Sequence, residues 1–251
     1  MNAAPAIALR DVHKNFAATR IIHGVSLEIQ RGQRHAIIGP NGAGKTTLFN
    51  MISGRLSVSS GEIEFNGHLI NNRPPYEINR MGLSRSFQIT SLFHRLSVFE
   101  NIRCALLWSR GYRYSIWHLL KRQHDLNSAA ELLLERLDLR DRRHVPAGLL
   151  SYAEQRALEI GITVAGGADV ILLDEPTAGM NRNESDRAVA LIRQLSEGKT
   201  LIMVEHDMDV VFDLAEVVTV LVYGRIIASD TTARVRINQQ VREAYLGTKL
   251  A

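Results

Sequence analysis

Three short apolar runs, His35-Ala-Ile-Ile38, Val170-Ile-Leu-Leu173 and Thr200-Leu-Ile-Met-Val204, are rich in β-branched residues and show no polar alternation. A strand hidden on both faces reads as a continuous apolar run, whereas a half-exposed strand alternates. The runs therefore predict buried strands of a parallel sheet. Each is followed at once by polar residues: Gly39 opens a glycine-rich turn, Asp174-Glu175 follow the second run and Glu205-His206 the third. Parallel strands joined by crossovers end on one edge of the sheet, where ligands of such folds bind. These groups are expected to converge.

Before residue 35 the pattern changes. Ile7-Ala-Leu9 and Val25-Ser-Leu-Glu-Ile29, with Arg31-Gly32 as a turn, predict an antiparallel β portion, and Glu62-Ile-Glu-Phe65 followed by Asn66-Gly67 predicts a hairpin. From about residue 97 to 165 the spacing is helical, as in the amphipathic run through Leu132, Leu133, Arg136 and Leu137. Ser97-Val-Phe-Glu100, Ser128-Ala-Ala-Glu131 and Ser151-Tyr-Ala-Glu154 each fit the capping box, so helices are expected to start at all three. The clearest loop is Asn71 to Pro75.

Composition narrows the function classes. The 251 residues are 45% apolar and 22% charged, an ordinary globular balance. The single cysteine, Cys104, excludes an internal disulfide and a cysteine-based zinc site. No window approaches a membrane-spanning apolar length, because Arg110, Arg113 and His118 interrupt one candidate region and Gly166, Gly167 and Asp169 another. MNAAPAIALR lacks the basic start and long apolar stretch of a secretory signal, so a cytoplasmic location is expected. A net charge of +4 permits an anionic partner, but clusters such as Arg140 to Arg143 read equally as solvated helix ends.

The strongest chemical signal is Gly39-Pro-Asn-Gly-Ala-Gly44-Lys45-Thr46-Thr47, placed after a predicted strand and before an apolar helical pattern through Leu48, Phe49, Met51 and Ile52. That context is what a phosphate-binding P-loop requires. Its glycines (Gly39, Gly42, Gly44) let backbone N–H groups turn toward phosphate beside Asn41 and Ala43, the helix N-terminus adds a favourable dipole, and Lys45 brings a mobile positive charge. Thr46, with Thr47 beside it, can place a hydroxyl on Mg2+. Asp174, at the end of a buried strand, can hold that ion through water, while Glu175 orients or deprotonates an attacking water. Pro176 also stops the strand, so a purely structural reading of Asp-Glu-Pro exists until the P-loop is set beside it. His206, after the third run, is expected to touch the terminal phosphate.

Together the P-loop, Gln88 in SRSFQ, the SYAEQ stretch, ILLDEP and EHD resemble the ATP-binding cassette (ABC) ATPases in order and spacing, over essentially the whole chain. The resemblance implies an α/β P-loop NTPase core with a parallel sheet, an N-terminal antiparallel β portion and a helical subdomain. It divides the chain, as one domain, into residues 1–90 and 166–251 for the core and 91–165 for the helical part. It implies ATP and Mg2+ as ligands, Phe16 as the aromatic that stacks on adenine, and Gln88 as a ligand to magnesium or the lytic water. Glu175 resembles the general base and His206 the switch histidine. Ser151, Tyr152, Ala153, Glu154 and Gln155 match the signature presented to the nucleotide of a second subunit. Ala178, Gly179, Met180 and Asn181 match the loop that communicates across the dimer, with Asn where many members carry Asp.

SYAEQ departs from the commonest Ser-Gly-Gly-Gln signature. Tyr within the motif, a Glu-Gln ending, and SRSFQITSLF, LSVFENI, EHDMDVVFDLAE and REAYLG are similar to importer subunits of the branched-chain amino acid and urea type. The partners so implied are a second ATPase subunit, identical or paralogous, two membrane permease subunits and an extracytoplasmic solute-binding protein. The chain would then sit peripherally on the cytoplasmic face of the membrane, with no direct nucleic-acid contact. The segment 85 to 103 is the expected permease contact. CALLWSRGYRYSIWHLL, with Trp108 and Trp117, reads either as a second such surface or as packing within the helical arm. The rival function is a soluble ABC ATPase acting on ribosomes or DNA; a P-loop kinase or GTPase lacks support, because no Asn-Lys-x-Asp guanine motif occurs.

Overall fold

A computed structural model describes residues 4–86, 92–110 and 124–244, with Trp108 and Ala244 described without their side chains. Gln88, Trp117 and the end of REAYLG lie outside the described residues.

Two sheets frame the chain. β1 (Ile7–Phe16) pairs antiparallel with β2 (Thr19–Ile29) on one side and with β4 (Ser60–Phe65) on the other, and β5 (His68–Leu69) closes the second hairpin. Asn66 and Gly67 turn it with φ of 51° and 80°, the left-handed pair that matches a tight turn to twisted strands. The second sheet has the order β10-β9-β3-β8-β7-β6. It comprises β3 (Arg34–Ile38), β6 (Leu83–Arg85), β7 (Val170–Asp174), β8 (Thr200–Val204), β9 (Val217–Val222) and β10 (Arg225–Thr231). Every neighbouring pair is parallel except β9 with β10.

The absence of alternation in the three apolar runs has its cause here. Alternate residues of β3, β7 and β8 enter two separate cores. Ala36, Ile38, Ile171, Leu173, Leu201 and Met203 join a core shared with helices, whereas Ile37, Val170, Leu172, Ile202 and Val204 join one shared with β1, β2, β4 and helix α1 (Lys45–Ile52). α2 (Pro75–Arg80) precedes β6. Between β6 and β7 come α3 (Val98–Ser109), α4 (His124–Arg136) and α5 (Tyr152–Ala165), with α3 packed on both others. α6 (Arg182–Leu195) and α7 (Met208–Leu214) flank β8 in sequence, and α8 (Thr232–Ile237) and α9 (Gln239–Ala244) follow β10. Among the described residues no helix is long and apolar enough to cross a membrane.

Some expectations from the pattern are corrected. Ser97 and Ser151 do cap helices reciprocally with Glu100 and Glu154, but Ser128 lies inside α4, where its neighbours are already helical. Leu132 is 61% exposed; the buried stripe of α4 runs through Leu126, Ala130, Leu133 and Leu134 instead. The β9–β10 hairpin is an element that apolar periodicity alone did not single out. Its turn residues Tyr223 and Gly224 both have positive φ, 47° and 71°, so a tyrosine stands where Asn or Asp would signal a turn.

A buried polar group crosses from β3 to this hairpin. His35 is 1% exposed on β3, with Nε2 2.8 Å from Thr219 Oγ1, which lies 2.7 Å from Ser229 Oγ. Burial pushes its pKa down from 6.5 to about 4, so the imidazole is neutral in the folded chain. The unfolded chain then binds the extra proton, and stability present above pH 6.5 is lost as pH falls toward 4. The linked loss is on the order of 3 kcal/mol. His35→Leu, which leaves Thr219 paired with Ser229, is expected to lose less stability than the parent between about pH 7 and about pH 5, as read by urea unfolding.

Candidate functional site

The turn after β3 is shaped by what surrounds it. A Cβ on Gly39 would collide with the Leu221 carbonyl oxygen of β9, and one on Gly44, at φ 102°, would meet Ile22 Cδ1 at 2.7 Å. Gly44 is the N-cap of α1, with no side-chain cap and no acidic residue in the first turn. The opening N–H groups of a helix have no intrahelical acceptor, and the dipole there is positive. Together they form an end suited to an anion.

Lys45 is 6% exposed, and its ammonium donates to the carbonyls of Gly39 at 2.6 Å and Pro40 at 3.0 Å, curled inside the loop. Burial pulls its pKa down, and the nearby Glu175 and Asp174 carboxylates oppose that. The loop therefore holds a charge at the point where phosphate would offset the cost of burying it.

Asp174 closes β7 with its side chain 1% exposed. Its Oδ2 accepts from Arg85 Nη2 at 2.8 Å, and its N–H bonds Ser86 Oγ at 3.3 Å. Oδ1 is buried with no partner among the described residues. One orphaned carboxylate oxygen fits magnesium, which keeps several waters and takes one or two protein oxygens beside phosphate. Among the described residues no group of three or more His, Cys, Asp or Glu could form an all-protein cage.

The next residue carries strain. Glu175 has φ 48°, a left-handed backbone that costs a non-glycine residue about 1–3 kcal/mol. Its N–H is held by the Val204 carbonyl at 2.9 Å, and its own carbonyl receives the Ala178 N–H at 3.2 Å. This conformation sends the side chain to His206, whose Nε2 lies 2.9 Å from Glu175 Oε1. Phe16, 44% exposed, completes the rim with the Lys14 ammonium 5.0 Å from its ring centroid. Asn41 to Thr47, Phe16, Glu175 and His206 line one open cleft of about 380 Å3, with Ile21 between them.

Other expected site residues stand elsewhere. Ser151 to Gln155 do not line this cleft; Ser151, Ala153 and Glu154 border a separate hollow with Met180 and Glu184. Ser151 accepts the Glu154 N–H at 3.3 Å while Glu154 takes the Ser151 N–H at 2.8 Å and Arg142 Nε at 2.9 Å. Burial opposes it, yet these bonds hold the Glu154 carboxyl below its ordinary pKa. Gln155 turns back to the Leu150 carbonyl at 3.0 Å. The Tyr152 hydroxyl donates to the Ala178 carbonyl at 2.8 Å, so the departure from glycine creates a bond between two elements assigned to the dimer face. Gly179 turns the loop at φ 77°, and Asn181 caps α6 in a reciprocal box with Glu184. Its Asn-x-x-Glu spacing is a capping-box signal that the three Ser-x-x-Glu readings did not include.

Arg85 is the residue that sequence reasoning missed. From β6 its guanidinium spans Asn50 Oδ1 at 2.7 Å and Ser53 Oγ at 2.8 Å to Asp174, with its side chain 6% exposed. The available signal was an arginine in a short strand otherwise apolar and small.

A family model described as ABC transporter matches residues 22–178. The chain is 32% identical, over 257 aligned positions, to the high-affinity branched-chain amino acid transport ATP-binding protein BraF of Pseudomonas aeruginosa, covering 97% of this chain and 98% of that one. It is 31% identical over the same extents to LivG of Escherichia coli (strain K12), which bears the same description. Among solved structures it is similar to MJ1267, an ATP-binding cassette of an ABC transporter, in its ADP conformation. That likeness has a TM-score of 0.82 at 26% identity and covers 97% of this chain and 99% of that one.

Arg85→Met is expected to destabilise the fold by about 3–5 kcal/mol, because it strands the Asp174 carboxylate in a buried place. Adding Asp174→Asn should recover part of the loss, as measured by chemical denaturation of the single and double variants.

Proposed function

Since the chain belongs to the ABC transporter family, we propose that it is the ATP-binding and ATP-hydrolysing subunit of an importer. Its cargo would be a small polar solute of the branched-chain amino acid, other amino acid or urea class. The observation that carries the proposal is the meeting of Glu175 and His206 at 2.9 Å on the rim of the P-loop cleft. Similarity to BraF and LivG along nearly the whole chain supports the importer class.

In this reading the N-terminus of α1 and Lys45 bind the phosphates, and Lys45 exchanges its loop carbonyls for phosphate oxygens. Phe16 supports the base. Magnesium, when bound with ATP, neutralises phosphate charge, and Thr46 and Asp174 would hold it. Arg85 fixes one Asp174 oxygen, and the other, without a partner among the described residues, would serve such an ion. Glu175 takes the proton of the attacking water at the oxygen that His206 does not occupy, and His206 keeps the carboxylate oriented. Ser151 and the start of α5 serve the nucleotide held by an opposing subunit, since within one chain they lie outside the cleft. Closure of such a pair around ATP, and its reopening after hydrolysis, would drive permease subunits at the cytoplasmic face.

Glu175→Gln is expected to bind ATP normally while hydrolysis falls about 10²–10⁴-fold, as measured by nucleotide binding and phosphate release. Near-normal turnover would remove Glu175 from the role of base. Ser151→Arg should also be inactive alone, yet mixing it with Glu175→Gln should restore part of the activity, because one mixed site then joins an intact Glu175 to an intact Ser151. No recovery would count against a site shared between two chains.

A further inference from the structure

Glu205 directly follows β8 and is 3% exposed, a carboxylate buried beside the reacting edge with no role in the scheme above. Its two oxygens serve two different loops. Oε1 accepts from the Thr177 N–H at 3.0 Å and the Thr177 hydroxyl at 2.5 Å. Oε2 accepts from the backbone N–H groups of His206 at 2.8 Å and Asp207 at 3.4 Å. Thr177 lies two residues beyond Glu175, whose left-handed backbone needs external support, and His206 is the group that meets Glu175. One side chain thus clasps the loop of the base to the loop of the histidine.

We propose that Glu205 is a positioning residue for ATP hydrolysis, holding the two loops in the one register that brings Glu175 Oε1 and His206 Nε2 together. The inference rests on Glu175 acting as the base. Four donors converge on two acceptor oxygens, and a carboxamide cannot imitate this. Gln in either orientation turns an NH2 toward one of the loops, donor against donor, and releases it. Asp is a methylene shorter and cannot span both. Loosening the pair displaces the base relative to its water, and a misplacement near 1 Å can cost about 10²-fold in rate.

Glu205→Gln is expected to leave ATP affinity and KM near the parent values while kcat falls about 10-fold or more. In a Glu175→Gln background, the same substitution should cost little further, because both act on one step. A role confined to folding or nucleotide binding would instead raise KM, or lower the rate by the same factor in both backgrounds, and either result overturns the proposal. So does a parental kcat in Glu205→Gln when Glu175→Gln is slow. If Glu175→Gln itself turns over normally, the failure lies in the base assignment. Should Glu205→Gln not fold, Thr177→Val removes the hydroxyl bond but keeps the N–H. A lowered kcat at constant KM is expected for it, and an unchanged kcat overturns the proposal.

Discussion

Burying both faces of β3, β7 and β8 leaves those strands little room for charge except where they end, and parallel crossovers bring the same end of all three to one edge. Gly39, Asp174 and Glu205 each occupy the position just at or after a last buried residue. The charged and glycine-rich residues gather at this edge because the continuous apolar strands permit them nowhere nearby. The antiparallel sheet with α1 covers one face and the helices from α3 onward the other, so the edge is a gap between two cores rather than a pit in either.

Charge at such an edge must be answered by fixed partners, since isolated buried charge is costly. Lys45 curls onto its own loop, Asp174 is met by Arg85, and Glu205 is surrounded by backbone donors. Each arrangement also orients something. Arg85 takes one Asp174 oxygen and frees the other, and the Val204 carbonyl holds the strained Glu175 backbone that aims its carboxylate. The bonds that solvate these charges are also the ones that fix their side chains in place.

Much of this was legible in the chain itself. The three apolar runs, the hairpin at Asn66-Gly67 and the P-loop could be read because each depends on neighbours in sequence. Two of three Ser-x-x-Glu spacings became caps. The third did not, because a capping box marks a helix start only where no helix already runs through it, and Ser128 sits within α4. Arg85 and the clasp of Glu205 were not legible, since their partners lie 89 and 28 positions away along the chain and only the sheet register joins them. Phe16 is exposed at the last position of β1, where it pairs with Thr19 at the turn into β2.

The bond from the Tyr152 hydroxyl to the Ala178 carbonyl ties the start of α5 to the loop before α6. The two elements would lack this tie if glycine, which has no side chain, stood at position 152. Tied together, they move as one lever or break a hydrogen bond to move apart. If either element were set moving, the other would follow until that bond broke.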